Sequence, residues 1–238
     1  MSRQTRKYQY DFRGELALAA AGSGAGGPFV KADTSVAGSP TVGGLLGGGV
    51  RMAMAATNEV ENLCVYMGDV LPFDIDEIVS VEFIAKTVAS LSTASQLAFG
   101  LCSARNDAIA SLAQYAAFRC IGSNAVVVDT KDGATTNNQI ATGLNLGATW
   151  KRFRVDFASR NTTIEPPSVS RGRKSNIEFY GANDNGSLRR VASGTRFDMT
   201  NYSGGLQLFA QLQKTADTNV NSLDILECSI EVSLPAYS

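Results

Sequence analysis

A chain of 238 residues that is 44% hydrophobic is long enough to bury one sizeable core. The formal net charge of −1 argues against a general binder of nucleic acid or of membrane surfaces. The sequence contains no histidine, which excludes a histidine-based nucleophilic triad and removes the commonest metal ligand. We therefore predict no catalytic residue, no cofactor and no metal ion.

Residues 1–49 are predicted to form an N-terminal arm. Of the 23 glycines in the chain, 11 lie between Gly14 and Gly49, and a segment of this composition buries too little apolar surface to offset its backbone entropy. Two interpretations are open: a flexible linker that stays disordered, and an arm that becomes ordered on neighbouring subunits. The predicted partner-binding residues of an ordered arm are Arg3, Arg6, Lys7, Tyr8, Tyr10, Phe12, Arg13 and Phe29.

Neither a signal peptide nor a membrane span is predicted. The apolar run that follows the basic start covers only residues 16–21, which is shorter than the apolar part of a secretory signal. No apolar run approaches the roughly 20 residues that a spanning helix needs.

From residue 50 onward, apolar and polar residues alternate in short runs, which is typical of strands with one buried face. In the run 79–87, for example, Val81 and Phe83 share one face while Glu82 and Lys86 share the other. Strands are predicted at 51–56, 62–67, 79–87, 97–101, 117–121, 125–129, 150–157, 176–180, 188–192, 206–213 and 226–234. The alanine-rich stretch 106–115 is ambiguous and could form a short helix.

Residues 183–186, with the sequence Asn-Asp-Asn-Gly, give the strongest hairpin signal in the chain. Many alternating strands without crossover helices predict an all-β fold, an antiparallel β-sandwich over residues 50–238. A jelly roll is the commonest way to close this many strands into two sheets. The four cysteines lie in apolar runs without a C-x-x-C pair and are predicted to be free, buried thiols, consistent with assembly in a reducing cytoplasm.

Several strand ends and turns, taken in their order along the chain, resemble a group of tailed-bacteriophage particle proteins with a concanavalin-like jelly-roll domain. The matching segments are 66–69, 71–74, 106–107, 129–133, 150–157, 197–199, 206–208 and 213–214. The resemblance covers roughly residues 60–233 and leaves the arm outside it. It carries no catalytic signature, so no functional residue is transferred.

The resemblance implies a virion structural protein, most simply a decoration (cement) protein of the capsid. Such a protein would bind the major capsid protein or other virion subunits as a homo-oligomer, for which capsid geometry suggests a trimer. It would be assembled in the host cytoplasm, with no specific nucleic-acid or membrane partner. The alternative is a lectin-like module of a phage tail or fibre that binds host glycans through loops at one end of the sandwich.

Two sequence features are relevant to carbohydrate chemistry. Asp74 and Asp76 would share a face if they lay on one strand and could then form a glycosidase pair or a calcium site. We favour solvated acids at a strand edge, because the longer acidic pattern of retaining glycosidases of this fold is missing. Trp150, the only tryptophan, could stack on a sugar, although a tryptophan that opens a strand more often lies at the edge of the core. No enzymatic activity is predicted.

Overall fold

The computed structural model describes residues 4–12, 18–20, 27–157, 174–182 and 186–234. Strands dominate this part of the chain. Their bounds are β1 (Thr5–Tyr10), β2 (Ala19–Ala20), β3 (Val30–Asp33), β4 (Thr41–Gly44), β5 (Val50–Ala53), β6 (Glu61–Tyr66), β7 (Phe73–Asp74), β8 (Ile78–Lys86), β9 (Ser95–Cys102), β10 (Tyr115–Ile121), β11 (Ala125–Lys131), β12 (Thr136–Asn145), β13 (Lys151–Asp156), β14 (Glu178–Gly181), β15 (Arg189–Val191), β16 (Gly205–Lys214) and β17 (Ser222–Ser233).

The strands form two sheets. Sheet A has the order β15-β14-β13-β8-β17-β5-β4, and β1 pairs with β17 beside β5. Sheet B has the order β12-β11-β10-β9-β16-β6-β3-β2, with β7 also paired to β16. All of these pairs are antiparallel except β2 with β3, which confirms the predicted antiparallel β-sandwich.

The core lies between the sheets and is built from alternate residues of facing strands. Phe83 and Phe153 from sheet A meet Phe99 and Phe118 from sheet B, and all four are almost completely buried. The ring centroids of Phe99 and Phe118 are 5.6 Å apart and stacked, and those of Phe99 and Phe153 are 5.1 Å apart, edge to face. These aromatic pairs add directional contacts to the burial of apolar area.

The described part of residues 1–49 belongs to the sandwich. Strand β1 pairs along its whole length with β17, from Thr5 opposite Ser233 to Tyr10 opposite Cys228. Strand β3 pairs with β6, and β4 forms a hairpin with β5. Strands on both sides of the boundary predicted at residue 50 thus pair with one another in the described residues, and the role of residues 1–49 as an assembly arm stays a prediction. Composition could not reveal this pairing, because the hydrogen bonds of β1 come from the opposite end of the chain.

Most strands predicted after residue 50 are present, with different bounds. Strand β17 begins four residues earlier than predicted, at Ser222, and β5 ends three residues earlier, at Ala53. The ladder of β10 begins two residues earlier than predicted, and β12, rich in Asn, Thr and Gly, was not predicted at all. Residues 106–114 form a loop with one 3₁₀ turn, Ile109–Ser111, and Tyr115 begins β10. The predicted hairpin at 183–186 falls mostly outside the described residues.

The four cysteines are free and buried, as predicted. Among the described residues, no helix is long and apolar enough to cross a membrane.

Candidate functional site

The aromatic residues predicted to bind a partner contact one another within the chain. Phe12 and Phe29 have ring centroids 5.0 Å apart, and Tyr10 meets Phe29 edge to face at 5.2 Å. Tyr8 lies 5.9 Å from Phe73, next to the main core. Phe12 and Phe29 are buried, so the described structure uses both as anchors of their own sandwich. A role for these side chains in binding a neighbouring subunit stays a prediction.

Two of the four predicted basic residues of the arm also have partners in the same chain. The Lys7 ammonium lies 3.9 Å from a carboxylate oxygen of Glu82, on the outer face of sheet A. The Arg6 guanidinium lies 5.8 Å from the ring centroid of Tyr8. The other two predicted basic residues, Arg3 and Arg13, lie outside the described residues.

The outer face of sheet B is covered by residues 103–114, which we call the covering segment. Ile109 and Leu112 of this segment are buried in a second apolar cluster on that face. The rest of the described cluster is Ala32, Cys64, Tyr66, Ala98, Cys102, Tyr115, Ala117 and Phe209. Small residues in the middle of the sheet, Ala98 and Ala117 on neighbouring strands, leave room for the segment.

Alternate glutamines of β16 hold this part of the fold together. The Gln211 side-chain amide donates to the backbone carbonyls of Asn106 and Asp107, both at 2.9 Å. The Gln213 side-chain oxygen accepts from the Ile109 backbone N–H at 3.1 Å. Each bond satisfies a polar group that would otherwise be buried without a partner. The centre of the face is therefore closed by the chain itself, while β12 at its edge stays largely exposed.

A buried ion pair, Arg119 with Asp129, lies on this same outer face. The Arg119 guanidinium donates to the Asp129 carboxylate, which also accepts from the Gln139 backbone N–H. Burial raises the pKa of Asp129, and the adjacent guanidinium opposes this by favouring the ionised form. With Arg119 only 5% and Asp129 0% exposed, the pair is placed to organise the sheet and not to meet a ligand.

The acidic cluster at residues 74–77 does not form the pair that strand geometry would give. Strand β7 ends at Asp74, and the chain then turns, with the Asp76 backbone N–H donating to the Asp74 side chain at 2.9 Å. Asp76 pairs instead with the Lys174 ammonium at 2.9 Å. Over the part of the chain that the structure describes, no group of three or more His, Cys, Asp or Glu side chains could hold a metal ion.

One cross-strand row on the outer face of sheet A combines an aromatic ring with charged groups. We call it the Trp150 row, and from β13 to β5 it consists of Trp150, Lys86, Asp224 and Arg51. Asp224 is the register partner of both Lys86 and Arg51, and Trp150 immediately precedes the residue that pairs with Ala85. The row therefore crosses four adjacent strands.

The contacts within the row are short and directional. Arg51 donates two hydrogen bonds to the Asp224 carboxylate through Nε and Nη2, each 2.7 Å from a carboxylate oxygen. Hydrogen bonding to Asp224 raises the pKa of Arg51, so the guanidinium stays protonated. The Lys86 ammonium lies 3.8 Å from Asp224 and 4.4 Å from the ring centroid of Trp150, a cation–π contact. Trp150 is partly exposed, while the Asp224 side chain is fully buried under the two cations.

The sequence identified Trp150 as a candidate and placed Lys86 on a polar strand face, but it did not connect them. Arg51 and Asp224 were missed altogether. They lie 173 residues apart in the chain, and only the order of strands in the sheet makes them neighbours. The signal available in the sequence was the polar residues at alternate strand positions. Such residues show which face of a strand is polar, but they do not show which strands lie next to each other in the sheet.

No family model matches the chain, and a search of curated proteins finds no significant match. Solved structures do match. Peanut lectin has a TM-score of 0.57 at 11% identity, with 98% of this chain and 100% of that chain covered. A Bacillus licheniformis β-glucanase has a TM-score of 0.55 at 10% identity, with 96% and 98% covered. A protein of unknown function from Shewanella oneidensis MR-1 has a TM-score of 0.55 at 12% identity, with 100% and 91% covered.

These matches define the class of fold. The chain has the concanavalin-like jelly-roll fold that lectins and glucanases share, as the sequence resemblance implied. At identities this low, the likeness shows the fold alone, because one fold can carry many activities.

Proposed function

We propose that this chain is a non-catalytic, lectin-like domain that binds carbohydrate through the Trp150 row. The observation that carries the proposal is the row itself: a partly exposed indole beside a lysine and a bidentate guanidinium–carboxylate pair on the outer face of sheet A. The fold, shared with a lectin at nearly full coverage, supports the same function.

The chemistry of the row suits a sugar. The apolar C–H face of a pyranose ring packs against an indole, and its hydroxyl groups both donate and accept hydrogen bonds. Arg51 donates to Asp224 through Nε and Nη2, and its Nη1 can donate to a ligand at the surface. The bidentate pair also fixes the orientation of the guanidinium before a ligand arrives, and a preorganised donor loses less entropy on binding.

Trp150 provides its own assay because the chain has a single tryptophan. Its emission should change on titration with a bound oligosaccharide and should saturate at one site per chain. A panel of immobilised glycans then identifies the sugar. In that panel Trp150→Ala should lose the signal, since the stacking surface is gone.

The matched control is Gln9→Ala, an exposed position on the outer face of the same sheet but away from the row. This variant should bind like the unmodified protein. Retention of glycan binding in a folded Trp150→Ala variant would show that the sugar binds elsewhere. An absence of binding to every glycan would remove the proposal.

A second candidate follows from the sequence resemblance: a virion structural protein that decorates a capsid as a homo-oligomer. Three aliphatic side chains at turn or loop positions favour contact with another protein. Leu46, at the tip of the β4–β5 hairpin, is fully exposed, and Val36 and Val70 are each 76% exposed. Mass spectrometry of purified particles tests this reading, because a decoration protein would be present in hundreds of copies and a tail or fibre module in few.

A further inference from the structure

The outer face of sheet A has a layered distribution of charge. Its described ion pairs join six cations to four carboxylates across the sheet. The cations are Lys7, Arg51, Lys86, Arg152, Arg154 and Arg190, and the carboxylates are Glu82, Asp156, Glu178 and Asp224. The cationic side chains are 22 to 52% exposed, whereas those of the carboxylates are only 0 to 15% exposed.

This layering follows from side-chain length. Asp and Glu end close to the sheet, while Arg and Lys extend over them and keep their charged groups in water. Glu82 shows the pattern best, because Lys7, Arg152 and Arg154 all lie within 3.9 Å of its carboxylate. Among the paired groups, the layer that meets solvent is therefore cationic. Two further carboxylates, Glu227 and Glu231, lie half-buried on the same face of β17.

We infer that the outer face of sheet A binds an anionic polysaccharide, a chain of uronic acid sugars. This inference rests on the proposed function, for which it names the class of ligand. The Trp150 row spans about 14 Å, three strand spacings of about 4.8 Å each, which is room for several sugar units. Arg152 lies two residues beyond Trp150 on the same face of β13 and extends the cationic layer sideways.

The charge pattern favours a polysaccharide over a nucleic acid. Each cation of the layer keeps a carboxylate beneath it, so its positive potential is partly cancelled. Nucleic acids carry a dense line of phosphates and are bound by surfaces with a clear excess of cations. The whole chain has a formal net charge of −1. Single carboxylates, separated by uncharged ring atoms that can contact Trp150, fit this surface better.

The test compares two ligands with the same sugar backbone, one with carboxylates and one with uncharged methyl esters in their place. Oligogalacturonate and its fully methyl-esterified form have the same sugar units, and only the first carries carboxylates. Binding is followed by Trp150 emission and by calorimetry. The free acid should bind at least about tenfold more tightly than the ester, and its affinity should fall as salt is raised from low to physiological concentration.

The variant Lys86→Gln/Arg152→Gln removes two charges of the layer and should weaken binding of the acid at least about tenfold. It is expected to fold, because Asp224 keeps its bidentate Arg51 and Glu82 keeps Arg154. Arg196→Gln is the control: this cation is 68% exposed and pairs with Asp198 outside sheet A, so its loss should not change binding.

The outcomes separate the two proposals. Equal binding of acid and ester would overturn the anionic ligand and leave carbohydrate binding in place. Binding of neither, together with silence across neutral glycans, would remove both. Tighter binding of a single-stranded DNA oligonucleotide than of oligogalacturonate would overturn the inference in favour of a nucleic-acid surface.

Discussion

Replacing Lys214 by methionine should destabilise the protein more than most single substitutions. Lys214 and Glu61 are register partners on β16 and β6, and both are completely buried. The ammonium lies 3.4 Å from the Glu61 carboxylate and donates to the carbonyls of Ala55 at 2.6 Å and Thr57 at 2.8 Å. Methionine has a similar length and apolar stem but no charge and no donor.

The expected cost comes from what is left behind. The Glu61 carboxylate would keep the Ala55 N–H and the Thr57 hydroxyl as donors but would lose its counter-charge. Removing one partner of a buried ion pair costs about 3–5 kcal/mol. The total stability of a domain is about 5–15 kcal/mol, so the loss would be a large fraction of it.

Urea unfolding followed by Trp150 emission measures the free energy of unfolding. The double variant Glu61→Gln/Lys214→Met should be less destabilised than Lys214→Met alone, because no charge is then buried without a partner. A cost below about 1 kcal/mol for Lys214→Met would refute the argument, since it would place the pair among exposed ones. A double variant as unstable as the sum of the two single variants would refute it as well.

Three further predictions concern the fold. Gly100→Ala should destabilise strongly, because its φ is +153° and a Cβ would lie 2.3 Å from a backbone oxygen of β10, whereas Gly147→Ala, with open space around it, should be neutral by the same urea assay. Burial alone would raise the pKa of Asp132, but hydrogen bonds from backbone and side-chain donors outweigh it and lower the pKa below 3.8. Its carboxylate therefore stabilises the fold fully above pH 3.8 and progressively less as pH falls through the lowered pKa. The difference in the free energy of unfolding between the unmodified protein and Asp132→Asn should shrink on acidification. A difference that stays constant would contradict this. Deleting residues 1–12 should cost at least about 3 kcal/mol through the loss of buried Phe12, while Arg6→Ala should cost little; equal midpoints for all three proteins would show that β1 is dispensable.

Much of the fold could be predicted from alternation, because a strand with one buried face repeats every two residues. Strand β8 is an example: its apolar set faces the core, and Glu82 and Lys86 face outward as expected. Strand β1 could not be predicted, since its pattern is weak and its partner lies more than 200 residues away. The same limit hid the Trp150 row.

The glutamines of β16 show a different limit. Alternating Gln207, Gln211 and Gln213 predict a wet face, yet Gln207 and Gln211 are completely buried. Glutamine satisfies itself equally well with water or with backbone amides, so the residue type does not distinguish the two. The partners decide: Gln207 bonds the backbone N–H and the side chain of Asp69, and Gln211 bonds the covering segment. The sequence of that segment, rich in alanine, does not indicate that it folds back over the sheet.

The covering segment also makes the two outer faces of the sandwich unequal. A bare sandwich offers two broad faces, and a partner could approach either. With residues 103–114 laid across sheet B, the centre of that side is closed, whereas no comparable segment among the described residues lies across sheet A. A surface that tethers this protein by its closed side would leave the cationic layer pointing outward. The two sides of the sandwich thus differ in the surface that they expose, although both are built from the same kind of strand.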